Sequence, residues 1–130
     1  MRRLSFAAAL VFAAAAVPAH AQMNPRGEAR VTLAGKPIVI DYGRPSLKGR
    51  DMLAKAEVGQ EWRMGADSAT TLKTPVALTF DKTVVAPGDY VLKAKKVSAT
   101  DWALLLEKDG KTVEVPLASS PLDAPVELFT

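Results

Sequence analysis

The sequence predicts an all-β domain, an antiparallel β-sandwich or a partly open barrel with at most one short helix. Three observations support this prediction. Apolar and polar residues alternate over roughly seven to nine short runs, which is the period of a strand that buries one face. Turn-forming residues separate these runs at intervals of about ten residues, as in sandwiches and barrels. Helical spacing of apolar residues is confined to one short stretch, residues 47–57.

The first two strands are predicted to form a hairpin. Residues 22–28 are polar and are predicted to be a loose leader ahead of it. Residues 30–33 and 38–42 both alternate, and residues 35–36 offer the glycine-containing turn between them. Pro45 ends the second strand, because proline has no N–H to donate to a strand ladder.

The remaining chain is predicted to form further short strands. They begin at residue 70 and cover residues 76–81, 84–85, 90–95, 102–107, 113–117 and 126–129. Asp109 and Gly110 form the strongest hairpin signal, because both residue types accept the positive φ of a type I′ turn. Tyr90 follows a Pro87-Gly88 turn, and we expect its hydroxyl to bind nearby backbone and close the sandwich.

Residues 1–21 are predicted to be a signal peptide. Residues 2–3 are arginines, residues 4–17 are a nearly unbroken apolar run, and residues 19–21 form an A-x-A cleavage site. We therefore expect a protein that is exported, cleaved near Ala21, and periplasmic or secreted. The alternative is a membrane anchor, but the apolar run is shorter than the ~20 residues that a spanning helix needs. No membrane insertion is expected after the signal is removed.

The composition of the predicted mature chain, residues 22–130, limits its chemistry. Its length is that of one domain. Removing Arg2 and Arg3 leaves 15 basic residues against 14 acidic ones, so nucleic acid is excluded as a partner for want of basic excess. The sequence has no cysteine, and its one histidine, His20, lies in the predicted signal. This excludes a thiol nucleophile, a Ser-His-Asp triad and a typical zinc or copper site, and no cofactor is expected.

The candidate site lies in residues 40–71, where most of the unusual chemistry of the mature chain is concentrated. Its arginines and lysine can bind an anion, because guanidinium forks fit carboxylate or phosphate in a bidentate way. In the alternative interpretation, the arginines pair with carboxylates and pin the loop; those carboxylates are Asp41, Asp51, Glu61 and Asp67. The candidate ligand-binding residues are Tyr42, Arg44, Lys48, Arg50, Trp62, Arg63 and Asp67. Trp62 either stacks on a ligand or packs in the core. No catalytic or metal-binding residue is assigned.

Four segments of the chain carry a family resemblance. They read DYGRPSLKGR at 41–50, EWRMGADSAT at 61–70, VAPGDYVL at 85–92 and WALLL at 102–106. In these segments the chain resembles domain-of-unknown-function family 2911, which implies an exported bacterial β-rich domain without an assigned activity. Asp67 and Ser68 stand where the family usually has Asn-Glu. The chain also ends where related sequences tend to run on, so an unpaired C-terminal edge strand is expected.

The sequence leaves three functions open. We expect a non-catalytic module that binds a small anionic or polar ligand at the arginine-rich loop. The first alternative is a metal-independent hydrolase or lyase that uses aspartate, glutamate, tyrosine and arginine. The second is a structural envelope protein that pairs with a protein partner through an edge strand. A binding module needs a concave site rimmed by unpaired arginines, and an enzyme also needs a carboxylate or tyrosine with a strongly perturbed pKa in that site. A structural protein needs every central arginine paired and an exposed edge at the C-terminus.

Overall fold

Short strands make up most of the computed structural model, which describes residues 24–124. The strands are β1 (Arg26–Leu33), β2 (Lys36–Gly43), β3 (Glu61–Arg63), β4 (Thr70–Thr74), β5 (Leu78–Phe80), β6 (Thr83–Val85), β7 (Gly88–Lys96), β8 (Trp102–Lys108) and β9 (Lys111–Leu117). A single 3-10 turn, Leu53–Lys55, is the only helix in this range. The predicted signal peptide, residues 1–21, and the predicted last strand, residues 126–129, lie outside the described residues.

The strands form one large antiparallel sheet and one small hairpin. The large sheet has the order β1-β2-β4-β7-β8-β9, and β3 also pairs with β7. The hairpin consists of β5 and β6. The sheet does not close into a barrel. The prediction of an all-β, antiparallel fold with at most one short helix is therefore confirmed.

Strands β3 and β4 together occupy one position in the large sheet. Arg63, the last residue of β3, pairs with Lys93, and Thr70, the first residue of β4, pairs with Leu92. The two strands thus continue each other along β7, and residues 64–69 loop out between them. This loop carries the candidate-site residue Asp67.

The core lies between the small hairpin and one face of the large sheet, which we call the core face. Its buried side chains are Ile38, Leu72, Val85, Tyr90, Leu92, Leu106 and Val115. Val85 comes from the hairpin and the others from the large sheet, so the two layers share a single cluster. Alternation along each strand places every second residue on this face. Burial of this apolar surface is the main favourable term in folding.

The opposite, outer face of the large sheet is polar but still covers an apolar side chain. Leu105 is only 2% exposed there. Its cross-strand neighbours are Lys93 on β7 and Glu114 on β9. Ion pairs join Lys93 to Glu107 at 2.9 Å and Lys95 to Glu114 at 3.3 Å. The hydrogen bond that Lys93 donates to Glu107 raises the pKa of Lys93, so this lysine stays charged at neutral and mildly alkaline pH.

Two hairpins turn through pairs of residues with positive φ. Asp109 (φ 51°) and Gly110 (φ 74°) join β8 to β9, which confirms the predicted type I′ turn. Between β1 and β2 the pair is Ala34 (φ 51°) and Gly35 (φ 74°). The turn predicted at residues 35–36 is thus one residue too late, because strand pairing places an alanine in the left-handed region.

Replacing Ala34 with asparagine should raise the free energy of unfolding by about 0.5–1 kcal/mol. The left-handed conformation costs an L-residue roughly 1–2 kcal/mol, and asparagine tolerates it better than alanine. Urea denaturation of parent and variant measures the difference. Thr32→Asn, at an exposed and extended position of the same hairpin, is the control and should not stabilise the protein. Equal effects at both positions would contradict the turn argument.

Tyr90 closes one end of the core. Its ring is buried in the cluster, and its hydroxyl donates a hydrogen bond to the carbonyl oxygen of Ala86 at 2.7 Å. The prediction that this hydroxyl binds nearby backbone is confirmed. The bond gives the hydroxyl a partner at the edge of an apolar cluster. Burying this hydroxyl without a hydrogen bond would destabilise the fold.

Candidate functional site

Strand β1, the end of β2 and the loop of residues 64–69 meet at one place, which we call the loop junction. A Cβ on Gly43 would overlap the carbonyl oxygen of Ala66. A Cβ on Gly65, whose φ is +92°, would lie 2.6 Å from the carbonyl oxygen of Gly43. The two glycines therefore allow the backbones of β2 and the loop to approach directly.

Arg26 of β1 binds the loop from the side of the sheet. Its guanidinium donates hydrogen bonds to the carbonyl oxygens of Ala66 (3.5 Å) and Ser68 (3.1 Å). The same guanidinium makes an ion pair with Asp41 of β2. One arginine thus ties β1, β2 and the loop together. Because the side chain of Arg26 is only 30% exposed, these bonds are partly shielded from water.

Further bonds fix the loop from its own ends. Arg63 donates to the carbonyl oxygen of Asp67, and the hydroxyl of Thr70 donates to the carbonyl oxygen of Met64. The main-chain N–H of Asn24 donates to the carboxylate of Asp67 at 2.7 Å, and its side-chain amide lies 3.3 Å from the same carboxylate. Asp67 itself adopts a φ of +62°. The loop is therefore held in one conformation by contacts on both sides.

Sequence reasoning missed Asn24 and Arg26. Both lie in residues 22–28, which we predicted to be a loose leader, whereas β1 begins at Arg26. The signal was present, because charged residues alternate with glycine and alanine from Arg26 to Arg30. This pattern has the period of a strand but contains no large apolar residue. An edge strand whose residues are mostly exposed does not need large apolar residues.

The basic segment of residues 44–50 leaves β2 beside the junction. The N–H of Arg44 donates to the carbonyl oxygen of Pro25 at 2.7 Å, which holds the start of the segment next to β1. Arg50 folds back on the segment and donates to the carbonyl oxygens of Leu47 (2.8 Å) and Ser46 (2.9 Å). Lys48 adopts a φ of +51° in the turn between them.

Tyr42 and Trp62 lie on the core face, away from Arg63. The ring of Tyr42 extends over its strand partner Gly27, where a Cβ would come within 2.7 Å of Tyr42 Cζ. Trp62 is half-buried opposite Ala94, and its indole Nε1 is buried without a hydrogen-bond partner in the described part of the chain. The structure thus joins Arg63 and Asp67 directly, ties the main chain of Arg44 to Pro25, and places the two aromatic residues on the face of the sheet opposite Arg63.

The arginines near the loop junction bind main-chain carbonyl oxygens more often than carboxylates. Arg50 and Arg63 contact carbonyl oxygens, and Arg26 pairs with the carboxylate of Asp41 as well as with carbonyl oxygens. Asp51 instead accepts a hydrogen bond from the N–H of Ala54 at 3.0 Å. Of the two predicted interpretations, the described contacts fit pinning of the loop, which uses main-chain carbonyl oxygens and one of the predicted carboxylates, that of Asp41.

Residues 67–69 at the loop junction are exposed to solvent. Two concave surfaces lie on the β8–β9 side of the sheet, one of about 470 Å³ lined by Trp102 and Pro116 and one of about 350 Å³ lined by Asp109 and Thr112. Neither is lined by a residue of the junction. Within residues 24–124, no three histidine, cysteine or carboxylate side chains form a group that can hold a metal ion. No helix in that range has the length and apolar character to span a bilayer.

Comparison with known families assigns the chain. A family model described as "Protein of unknown function (DUF2911)" matches residues 24–121. The match includes every strand from β1 to β9 and confirms the resemblance carried by the four sequence segments. Neither the curated proteins nor the solved structures contain a match to the chain. The chain therefore belongs to the DUF2911 family, a family of unknown function.

Proposed function

We propose that the chain is a non-catalytic module that binds a small anionic or polar ligand at the loop junction. The orientation of the loop peptides carries this proposal. Three consecutive carbonyl oxygens, those of residues 66–68, accept hydrogen bonds from Arg26 or Arg63. A trans peptide is planar, with its N–H directed opposite to its C=O. The N–H groups of residues 67–69 are therefore directed away from these arginines.

Outward-directed amides of this kind suit an anion. Residues 67–69 are all exposed, and successive main-chain N–H groups around a left-handed residue form concavities that bind anions. The hydroxyl of Ser68 adds a donor at the same place. Because the amides belong to a loop that is already held in position, little conformational entropy is lost on binding.

The charges near the loop favour the same ligand class. The segment of residues 44–50 contains three cations and no carboxylate, and its first residue, Arg44, follows the glycine that contacts the loop. The carboxylate of Asp67 is engaged by Asn24, and that of Asp41 by Arg26. An incoming anion would thus meet the loop amides beside a segment of positive charge, while the carboxylates of Asp41 and Asp67 accept bonds from Arg26 and Asn24.

The same contacts favour binding over catalysis. A general base or nucleophile needs a group poised for proton transfer, whereas both carboxylates at the junction accept bonds from fixed donors. A catalytic lysine needs a lowered pKa, but the pKa of Lys93 is raised by its bond to Glu107.

A titration followed by NMR tests the proposal. Inorganic phosphate, sulfate, acetate and neutral sugars would each be added to ¹⁵N-labelled protein at constant ionic strength. We expect at least one anion to shift the amide resonances of residues 67–69 in a saturable way. A ligand at a hundred times its Kd should also stabilise the fold by about 2.7 kcal/mol. The proposal fails if no ligand gives saturable shifts at these amides.

Matched variants separate specific binding from general charge effects. Arg44→Gln should weaken binding, because it removes a cation next to the loop junction. Lys111→Gln changes the same charge at the β8–β9 hairpin, far along the sheet order from the junction, and should leave the affinity unchanged. Equal weakening by both variants would indicate unspecific attraction by the total charge of the protein and would count against a site at the loop.

A further inference from the structure

We propose that β1 pairs antiparallel with β1 of a second copy, so that two large sheets join into one continuous sheet across a twofold axis. Within residues 24–124, β1 pairs only with β2, and its other edge carries main-chain groups that no described strand pairs. Such an edge is a template for another strand. The observations below determine which strand fits it and in which register.

Strand β1 has almost none of the features that protect edge strands from pairing. It runs for eight residues in unbroken register with β2 and contains neither a bulge nor a proline. Val31 is 60% exposed and Leu33 is 47% exposed. The opposite edge strand, β9, contains Pro116. Short edges, bulges and prolines are common ways to block edge pairing, and β1 uses only charged side chains.

The turn geometry shows which residues of β1 direct their backbone outward. In a two-residue hairpin the residues flanking the turn exchange hydrogen bonds, so Leu33 and its odd-numbered neighbours bond to β2. The even-numbered residues 28, 30 and 32 then direct N–H and C=O away from β2. The same reasoning places Pro116 at an outward position of β9, where a missing N–H disturbs no pairing.

The charges on β1 favour a register centred on Ala29 over the registers centred on either neighbouring residue. When two copies pair symmetrically about Ala29, Glu28 of each lies opposite Arg30 of the other, which gives two ion pairs across the axis. Moving the axis to Glu28 or to Arg30 places like charges opposite each other, which is unfavourable. The two side chains already form an ion pair within one chain, at 2.7 Å, so they lie on the same face of the strand.

The same register covers exposed apolar surface. With the axis at Ala29, Val31 lies opposite Gly27 of the second copy. The ring of Tyr42 extends over Gly27, so Val31 would meet an aromatic surface rather than water. Burying a side chain that is 60% exposed in the single chain contributes favourably to association. Charge and apolar complementarity therefore agree on a second copy as the partner.

Sedimentation of the predicted mature chain, residues 22–130, at increasing concentration tests this proposal. We expect the mass of a dimer at about 100 μM protein. Arg30→Glu should raise the dimer Kd at least tenfold, because it places two carboxylates opposite each other. The double change Glu28→Arg with Arg30→Glu should restore the dimer, because the opposite charges again face each other. Lys111→Glu, on the other edge strand, should leave the Kd unchanged.

A proline variant tests the backbone pairing independently of charge. Thr32→Pro removes an outward N–H without removing a bond to β2, so the variant should fold, as judged by circular dichroism, and sediment as a monomer. A parent protein that stays monomeric at 1 mM would overturn the proposal, as would a dimer that neither Arg30→Glu nor Thr32→Pro weakens. Slow hydrogen exchange at residues 28, 30 and 32 in a monomer would show that the chain covers its own edge, and would also overturn it.

Discussion

Replacing Gly43 with alanine should lower the free energy of unfolding by about 3 kcal/mol. The added Cβ would overlap the carbonyl oxygen of Ala66, which is main chain and cannot rotate away as a side chain can. Gly43 does not have a positive φ, so the cost is steric rather than conformational. Overpacking typically costs 1–3 kcal/mol, and a clash between two backbones falls at the upper end. Urea denaturation measures the loss.

Gly27→Ala is the matched control for this prediction. Its Cβ would lie 2.7 Å from the ring of Tyr42, and that ring can move aside. We expect a cost of about 1 kcal/mol, clearly smaller than at Gly43. If Gly43→Ala cost no more than Gly27→Ala, the loop of residues 64–69 would be able to leave β2. The proposed anion site would then lack the fixed amides on which it depends.

The result for Gly43→Ala also bears on ligand binding. A variant that folds but has a displaced loop should lose the saturable amide shifts of residues 67–69. A loss of binding together with the predicted loss of stability would link both properties to one contact. If the variant were destabilised but bound the ligand as before, the contact between Gly43 and Ala66 would stabilise the fold without fixing the orientation of the loop amides.

Most of the fold could be predicted from the sequence because its signals are local. Strand β8 places Trp102, Leu104 and Leu106 on its core face at every second position, and Asp109-Gly110 fits the turn that follows it. The start of β1 was missed because the alternation from Arg26 to Arg30 joins charged residues with glycine and alanine, a weaker signal than alternation with large apolar residues. The turn at Ala34 was also misplaced, because the pairing of Leu33 with Lys36 overrides the preference of alanine against positive φ.

The candidate site could be predicted only as a set of residue types. The sequence selects Arg63 and Asp67 as neighbours, and the structure joins them through a carbonyl oxygen rather than a carboxylate. Arg26 reaches Ser68 over 42 positions in the chain, and such a contact depends on the strand order of the sheet. Periodicity and spacing contain no information about that order. Trp62 lies on the face opposite Arg63 because successive residues of a strand alternate, but no strand was predicted at residues 61–63. That Tyr42 shares the face of Trp62 depends on the strand order.

Leu106→Ala should cost about 3–4 kcal/mol, the largest loss we expect from a single substitution in the core. Leu106 is 0% exposed and belongs to the cluster between the two layers, where neighbouring side chains are fixed on both sides. Large-to-small changes at such sites leave a cavity and cost 2–5 kcal/mol. Thermal or urea unfolding measures the loss, which for a domain of this size corresponds to a fall in Tm of more than 10 °C, at about 4 °C per kcal/mol.

Leu105→Ala is the matched control. It makes the same chemical change at the preceding position of β8, and Leu105 is almost as buried as Leu106, at 2% exposed. Its neighbours on the outer face are Lys93 and Glu114, whose long side chains can move into the space that the leucine leaves. We therefore expect a cost of about 2 kcal/mol, smaller than for Leu106. Equal losses would show that the ion-paired outer face is packed as tightly as the core, and that the sheet is stabilised from both faces. A smaller loss at Leu105 would show that the hairpin of β5 and β6, rather than the layer of charged side chains, supplies the rigid packing on which the fold depends.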